Sequence, residues 1–444
     1  MRNFLRSGIV IPEAQKNDLK LLLQKTFSLD ESSLLYNLVV GVNRNYSDKI
    51  EYIDLEIERR DKELLDLFPS SGWFADYFRF SANSEVPFAY HVFCSLLLVG
   101  ASFGRRIWLD MGYFQIFPPM GVILLGPSGV KKTTAIDIAT DICIRSNLTG
   151  IYAEKITPEA LALSMSQTHA QGIIYAPEAT VLLGKQKYNE GLIPFLTRLM
   201  DCPRSITPTT ILRGAIEIKD VAISIIAGST TDWFVENTPR DMFGGGFIAR
   251  HILIHQQMTN KSFPFPSIDQ ANAPLLLGRD LLRKRSLLNG SLSLSPLARD
   301  FYISWYHENK KLVEHPPYQI LVSYLKRKPI HVLRTAINLH VMICESKEIC
   351  ETCLFKATKI LLWNEQFLSP MLEELFKTPE GRDHDYVKAQ LASEKGGIST
   401  HTNLVRKVQH RMTAQRLKHI LHSLKEAKQV EESHDSLSHY WRLI

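Results

Sequence analysis

Only six cysteines occur in 444 residues, at positions 94, 143, 202, 344, 350 and 353, and their spacing outlines no disulfide framework. A reducing, cytoplasmic setting is therefore the expectation. Cys350-Glu-Thr-Cys353 has half the spacing of a zinc site. No second pair with ligand spacing accompanies it, so free thiols are expected there. Apolar runs of bilayer length are also missing: the longest, VFCSLLLVGASFG from Val92, is too short to span one. The opening MRNFLRSGIVIPEAQ lacks an apolar stretch of signal-peptide length, which points to a soluble chain with no membrane partner. Charge is nearly balanced. With 52 Lys and Arg against 46 Asp and Glu, the net charge of +6 permits a nucleic-acid partner without demanding one. There is no internal repeat and no low-complexity tract. What is left is the composition of a globular protein, in a chain too long for one ordinary domain.

Residues 1–75 read as a charged N-terminal helical segment, closed by the Pro, Ser and Gly of FPSSGW. From 76 to 262, the apolar runs MGVILLG, GIIYA and VAISIIAG alternate with helical patterns. That alternation predicts an α/β core with a parallel sheet covered on both faces. FPFPSIDQANAP, 263–274, is a second break. Residues 275–378 have helical period and read as a helical lid, and 382–444 read as a separate C-terminal unit.

The stretch ILLGPSGVKKTTAIDIA, from Ile123, runs from an apolar strand through a Gly/Ser turn into a periodic helix. Such a turn points backbone N–H groups into one hollow, and the helix adds its positive end. The pattern G-x-x-x-x-G-K-[ST] is met at Gly126, Pro127, Ser128, Gly129, Val130, Lys131, Lys132, Thr133 and Thr134, except that Lys131 stands at the second glycine. Lys132 would reach the phosphates of ATP, and Thr133 would offer its hydroxyl to Mg²⁺. The alternative is an ordinary strand-turn-helix corner.

A nucleotide-hydrolysing site also needs carboxylates at the end of another strand. GIIYAPEATVLLG ends its apolar run in Ala176-Pro177-Glu178, with Glu178 where a catalytic base belongs and Pro177 where a Mg²⁺-holding aspartate belongs. VAISIIAG ends in Ser229-Thr230-Thr231, where Ser229 or Thr230 can orient an attacking water. Further on, FGGGFIARHILIH brings Arg250, placed to reach the γ-phosphate on a neighbouring subunit.

In this order, the loop, acidic strand, polar strand end and arginine resemble those of an AAA+ ATPase. More closely, the chain resembles helicase-like ATPases of phage and plasmid replication, often associated with primases. The likeness covers roughly residues 72–376. It rests on LLLVGASFGRRIW, GPSGVKKTT, PEATVLLG with EGLIPFLTRLMDCP, IIAGSTTDWF, GGGFIARHILIH and HVLRTAINLHV. The resemblance implies an ATP-dependent, helicase-type DNA ATPase acting as a hexameric homo-oligomer, with a primase in trans as a candidate partner. It makes Lys132 and Thr133 the phosphate-loop residues, Glu178 the catalytic glutamate, Ser229 or Thr230 a first sensor, Arg250 an arginine finger and Arg334 a second sensor. It also suggests a channel-facing hairpin in RSITPTTILRGAIEIKD, with Arg213 at its tip.

The C-terminal unit reads as three helices followed by two short strands, the pattern of a winged helix. Residues 401–418 hold Arg406, Lys407, Arg411, Arg416 and Lys418 and no Asp or Glu, which suits a DNA backbone. A winged helix used for protein contacts is the rival. Pro177 keeps a second function open: a replication initiator or loader that binds ATP but hydrolyses it slowly. A third is a regulatory protein that keeps the fold without nucleotide.

Overall fold

The computed structural model describes residues 44–152, 157–183, 191–210, 214–238, 245–265, 271–316, 321–344, 346–376, 379–434 and 439–444. The chain forms two compact units that divide after Leu368. Both sequence breaks expected to separate domains, 68–73 and 263–274, fall inside the first unit.

That unit opens with α1 (Arg44–Leu65), α2 (Trp73–Ser81) and α3 (Phe88–Phe103). Four aromatics of α2 are buried, and Phe68 packs edge-on against two of them, Phe74 and Phe78. Trp73 donates its indole N–H to the Leu277 carbonyl at 3.0 Å. FPSSGW is thus a turn held into the core rather than a linker. Helix α3 contains the longest apolar run. It is apolar all round because it is buried all round, from Ala89 to Phe103. Among the described residues, no helix is long and apolar enough to cross a membrane.

Strands β1 (Ile107–Asp110) and β2 (Gln115–Ile116) precede β3 (Gly121–Leu125), which leads into α4 (Lys132–Ser146). There follow β4 (Gly150–Tyr152), α5 (Pro158–Ser166), β5 (Gln171–Ala176), α6 (Thr180–Leu183) and α7 (Leu192–Leu199). A long hairpin comes next. In it β6 (Ser205–Ile206) pairs antiparallel with β9 (Ile218–Lys219), and β7 (Thr209–Thr210) with β8 (Gly214–Ala215). Then come β10 (Ala222–Ser229), α8 (Thr231–Asn237), α9 (Gly246–Ala249) and β11 (His251–His255).

Five of these strands form one fully parallel sheet in the order β11-β3-β10-β5-β4. Strands β3, β10 and β11 are buried at every residue, as a sheet covered on both faces requires. The chain leaves β3 toward the β4 edge and leaves β10 toward the β11 edge. The carboxyl ends of β3 and β10 therefore flank the switch point of the sheet, where α/β folds hold their ligands.

The remainder of the first unit was expected to be helical alone. It holds α10 (Ala273–Leu287), β12 (Gly290–Leu294), α11 (Pro296–Glu314), α12 (Val322–Ile343), β13 (Glu348–Ile349) and α13 (Glu351–Phe376), the last running past the division. Strand β12 pairs in parallel with β1 and with β13, giving a second sheet ordered β13-β12-β1-β2. Asn338 of α12 donates to the Leu96 and Pro118 carbonyls, at 3.1 and 3.2 Å, tying α12 to α3. Gly100 makes this approach feasible: a Cβ there would lie 2.5 Å from the Pro118 oxygen.

The second unit contains α14 (Pro379–Ala392), β14 (Ile398–Thr400), α15 (His401–Val408), α16 (Ala414–Glu426), β15 (Val430–His434) and β16 (His439–Leu443). Its strands form an antiparallel sheet ordered β14-β16-β15. Thr400 and Thr413 cap α15 and α16 by accepting from Asn403 and Arg416 N–H groups. Leu404, Val408, Leu417, Ile420, Leu421 and Trp441 fill its own core.

Candidate functional site

The turn after β3 lies at that switch point. Gly126 is required by crowding, since a Cβ there would collide with the Gln256 carbonyl and the Tyr90 hydroxyl. Tyr90 also fixes the strand end by donating to the Leu125 carbonyl at 2.6 Å. Pro127, Ser128 and Gly129 are exposed, and Gly129 has φ +86. Lys131 caps α4 with φ +61 and ψ +31, a left-handed conformation that glycine adopts without strain. The departure from the loop pattern therefore falls where the backbone still needs that conformation, and lysine bears its cost, about 1–2 kcal/mol. The Lys131 side chain turns aside to pair with Glu85 at 3.1 Å. Glu85 is held below the usual carboxylate range, first by the N–H of Phe263 at 3.0 Å and then, against partial burial, by Lys131. Among the described residues, no side chain caps the α4 N-terminus, so its first N–H groups are left for another partner.

Lys132 folds back over the loop and donates to the Gly126 and Pro127 carbonyls, both at 2.8 Å. Partial burial lowers its ammonium below the usual lysine range, and Glu178 opposes that shift electrostatically. Glu178, two residues past the end of β5, is thus near enough to act on the Lys132 charge, and its side chain is exposed. Gly228 joins the parts: a Cβ there would lie 2.6 Å from the Pro177 carbonyl and 3.5 Å from the Lys132 Cβ. The Gly126 N–H donates to Ser229 O at 3.3 Å, while the Ser229 hydroxyl is buried and donates to Thr230 O at 3.0 Å. Thr230 caps α8 through its backbone only. The Thr231 hydroxyl oxygen is buried with no hydrogen-bond partner among the described residues. Thr133 and Thr134 are exposed on the first turn of α4. This cluster offers a cation, a set of N–H donors, hydroxyls and one carboxylate. Pro177 brings no ligand atom where a metal-holding carboxylate was expected.

Arg250 and Arg334 are not part of this cluster. Strands β11 and β3 run in register from His251 opposite Gly121, so Arg250 precedes β11 at the end of the sheet remote from the loop. Four residues of β3 separate the two ends, about 13 Å. Arg250 donates to both oxygens of Asp201, Nε at 2.9 Å and Nη2 at 2.7 Å, and Nη1 donates to Gly246 O at 2.9 Å. Arg327 shares the same carboxylate. Arg334 is buried and donates to Met200 O at 2.8 Å, with its Nε unpartnered among the described residues. Burial works against ionisation of Asp201, yet Arg250 and Arg327 outweigh it and hold the carboxyl below its usual range. Asp201 and Arg250 also line a cleft of 430 Å³ with Ile193, Thr197 and Phe247.

Arg213, the expected hairpin tip, lies outside the described residues. Gly214 beside it has φ +69. In the second unit the basic residues are less free than their sequence suggests. Arg416 donates to Asp383 at 2.6 Å, and Arg411 pairs with the same residue at 3.4 Å. Lys407 pairs with Glu394 at 2.7 Å. Both acids lie outside 401–418. Arg406 and Lys418 are exposed and make no ion pair among the described residues.

No protein-family model matches this chain, and no curated protein is detectably similar to it in sequence.

Proposed function

We propose that the chain is a P-loop ATPase of AAA+ type, with a C-terminal winged helix, that works on DNA as a helicase-type motor in replication of a mobile element. One observation carries the reading: a glycine turn at the switch point of a parallel sheet, with Lys132 folded onto it and Glu178 and Ser229 beside it. The residues fit a nucleotide triphosphate. Gly126 leaves no side chain in the way, Lys132 is a phosphate cation, and the uncapped α4 N-terminus faces the hollow. Bound Mg²⁺ would neutralise phosphate charge, and Thr133 would hold it. Glu178 would orient and deprotonate water, and Ser229 or Thr230 would position it. Three helices and a three-stranded antiparallel sheet support the winged-helix reading of the second unit.

Two observations favour the slower-hydrolysing initiator or loader as the second reading. Pro177 supplies no carboxylate, and Arg250, which a neighbouring subunit would need as a finger, is bound to Asp201 in its own chain. Steady-state ATPase assays with and without single-stranded DNA separate the two. DNA-stimulated turnover abolished by Glu178→Gln supports the motor. Tight ATP binding without turnover supports the loader, and absence of ATP binding removes both.

A further inference from the structure

We propose that His340, Cys344, Cys350 and Cys353 form a closed structural zinc site. One ligand atom from each of the four lies within 4.8 Å of all the others. The sulfur of Cys344 is 3.7 Å from that of Cys350 and 3.9 Å from that of Cys353. A disulfide requires about 2.05 Å, so these are not disulfide distances. They are the distances a tetrahedral zinc demands: with each sulfur about 2.3 Å from the metal, sulfurs stand about 3.8 Å apart.

The scaffold is built for such a knot. His340 and Cys344 are four residues apart at the end of α12, so they share one face. Strand β13 pairs Glu348 and Ile349 with Ser293 and Leu294 of β12, which turns the chain back and delivers Cys350. Cys353 follows in the first turn of α13 and is buried with His340. The imidazole is already oriented. Its Nε2 lies 2.9 Å from the Ser346 hydroxyl and 3.2 Å from the Ser346 carbonyl. The opposite nitrogen, Nδ1, accepts a long hydrogen bond from the Cys350 N–H at 3.5 Å. An Nε2–H donated to Ser346 keeps Nδ1 unprotonated, the tautomer and outer-shell arrangement that metal-bound histidines use, and the long contact from Cys350 gives way when Nδ1 takes a metal. Three thiolates and one imidazole in a tetrahedron suit zinc, and four protein ligands leave no open position for catalysis. The metal's role is mechanical: it clamps α12, β13 and α13 together, independently of what the phosphate loop does.

The test is metal analysis of the full chain, purified without a metal-affinity step from zinc-supplemented culture. One zinc per chain is expected. Cys350→Ser and Cys353→Ser should each abolish it, and Cys143→Ala, which alters a buried thiol elsewhere, should not. Ser346→Ala should weaken zinc affinity roughly 10-fold, the lower end of outer-shell effects. Because the cysteine variants can fail to fold, the wild type carries its own test. Cys344 is exposed and Cys350 half-buried, so as a free thiol Cys344 at least reacts at once with a thiol reagent under native conditions; zinc-held, it reacts only after a strong chelator is added. A chain that purifies without zinc, holds another metal, or shows immediate thiol reaction without chelator overturns the proposal.

Discussion

Replacing Asp201 by alanine should destabilise the first unit by about 2 kcal/mol. The carboxylate is the shared partner of Arg250 and Arg327, and Arg334 acts on it from nearby. Breaking a fully buried pair costs roughly 3–5 kcal/mol, and exposed pairs contribute about 0–1 kcal/mol. Asp201 is 29% exposed, Arg250 17% and Arg327 31%, which places the cluster between those limits. Its loss leaves three guanidinium groups without a common counter-charge. Urea unfolding followed by tryptophan fluorescence reads this unit well, since five of the six tryptophans precede Leu368. In a double-mutant cycle with Arg250→Ala, the coupling should be about 1–3 kcal/mol. Because the folded carboxyl is held low, this contribution is complete above the unfolded value of about 3.9 and is lost as pH falls below it. A change under about 0.5 kcal/mol, or strict additivity in the cycle, would refute the reasoning, since neighbours in one network are expected to couple.

Lys131→Gly should leave ATP affinity unchanged and stability within about 1 kcal/mol, because relief of left-handed strain is offset by the unfolded-state freedom of glycine. A marked loss of affinity by calorimetry would mean that the Lys131 side chain, not its backbone, serves the loop. Burial pushes His91 and His331 down to about 3, and His251 and His255 down to about 4. The unfolded chain therefore binds more protons between about pH 6.5 and pH 4. Stability should fall across that window by up to about 1.4 kcal/mol per pH unit for each histidine; a flat unfolding midpoint from pH 7 to 5 would contradict this. Arg406→Glu with Lys418→Glu should weaken duplex binding and lower the slope of log K against log salt by about 0.9 per lost phosphate contact. An unchanged slope would direct the second unit to another partner.

The glycine turn between β3 and α4 was legible in the sequence because it is local. The strand, the glycines, Lys132 and the helix follow one another without interruption from Gly121 to Ser146, and only the left-handed backbone at Lys131 has no signature in the pattern. The parallel sheet was legible from the alternation of apolar runs with helices. The second sheet was not, since Ile107 pairs with Gly290 across most of the first unit and β12 is a short strand among helices. Asp201 was invisible for the same reason: its arginines lie 49 and 126 positions away. The run 401–418 looked wholly basic because Asp383 and Glu394 come from outside it. The His/Cys cluster had one signal, His340 and Cys344 at helical spacing before Cys350-Glu-Thr-Cys353, which becomes readable only once β13 folds the chain back on itself.

The most direct measurement is the affinity of ATP for the wild-type chain and for Lys132→Ala, by calorimetry, with folding of the variant checked by circular dichroism. Lys132 already lies on the Gly126 and Pro127 carbonyls, so removing it deletes a cation from a formed loop without disturbing the sheet. A charge-assisted contact to phosphate contributes about 1.5–3 kcal/mol, which corresponds to a loss of roughly 10- to 100-fold. Binding by the wild type with such a loss in the variant is the predicted result. Equal affinities, or no binding by the wild type, would contradict the account.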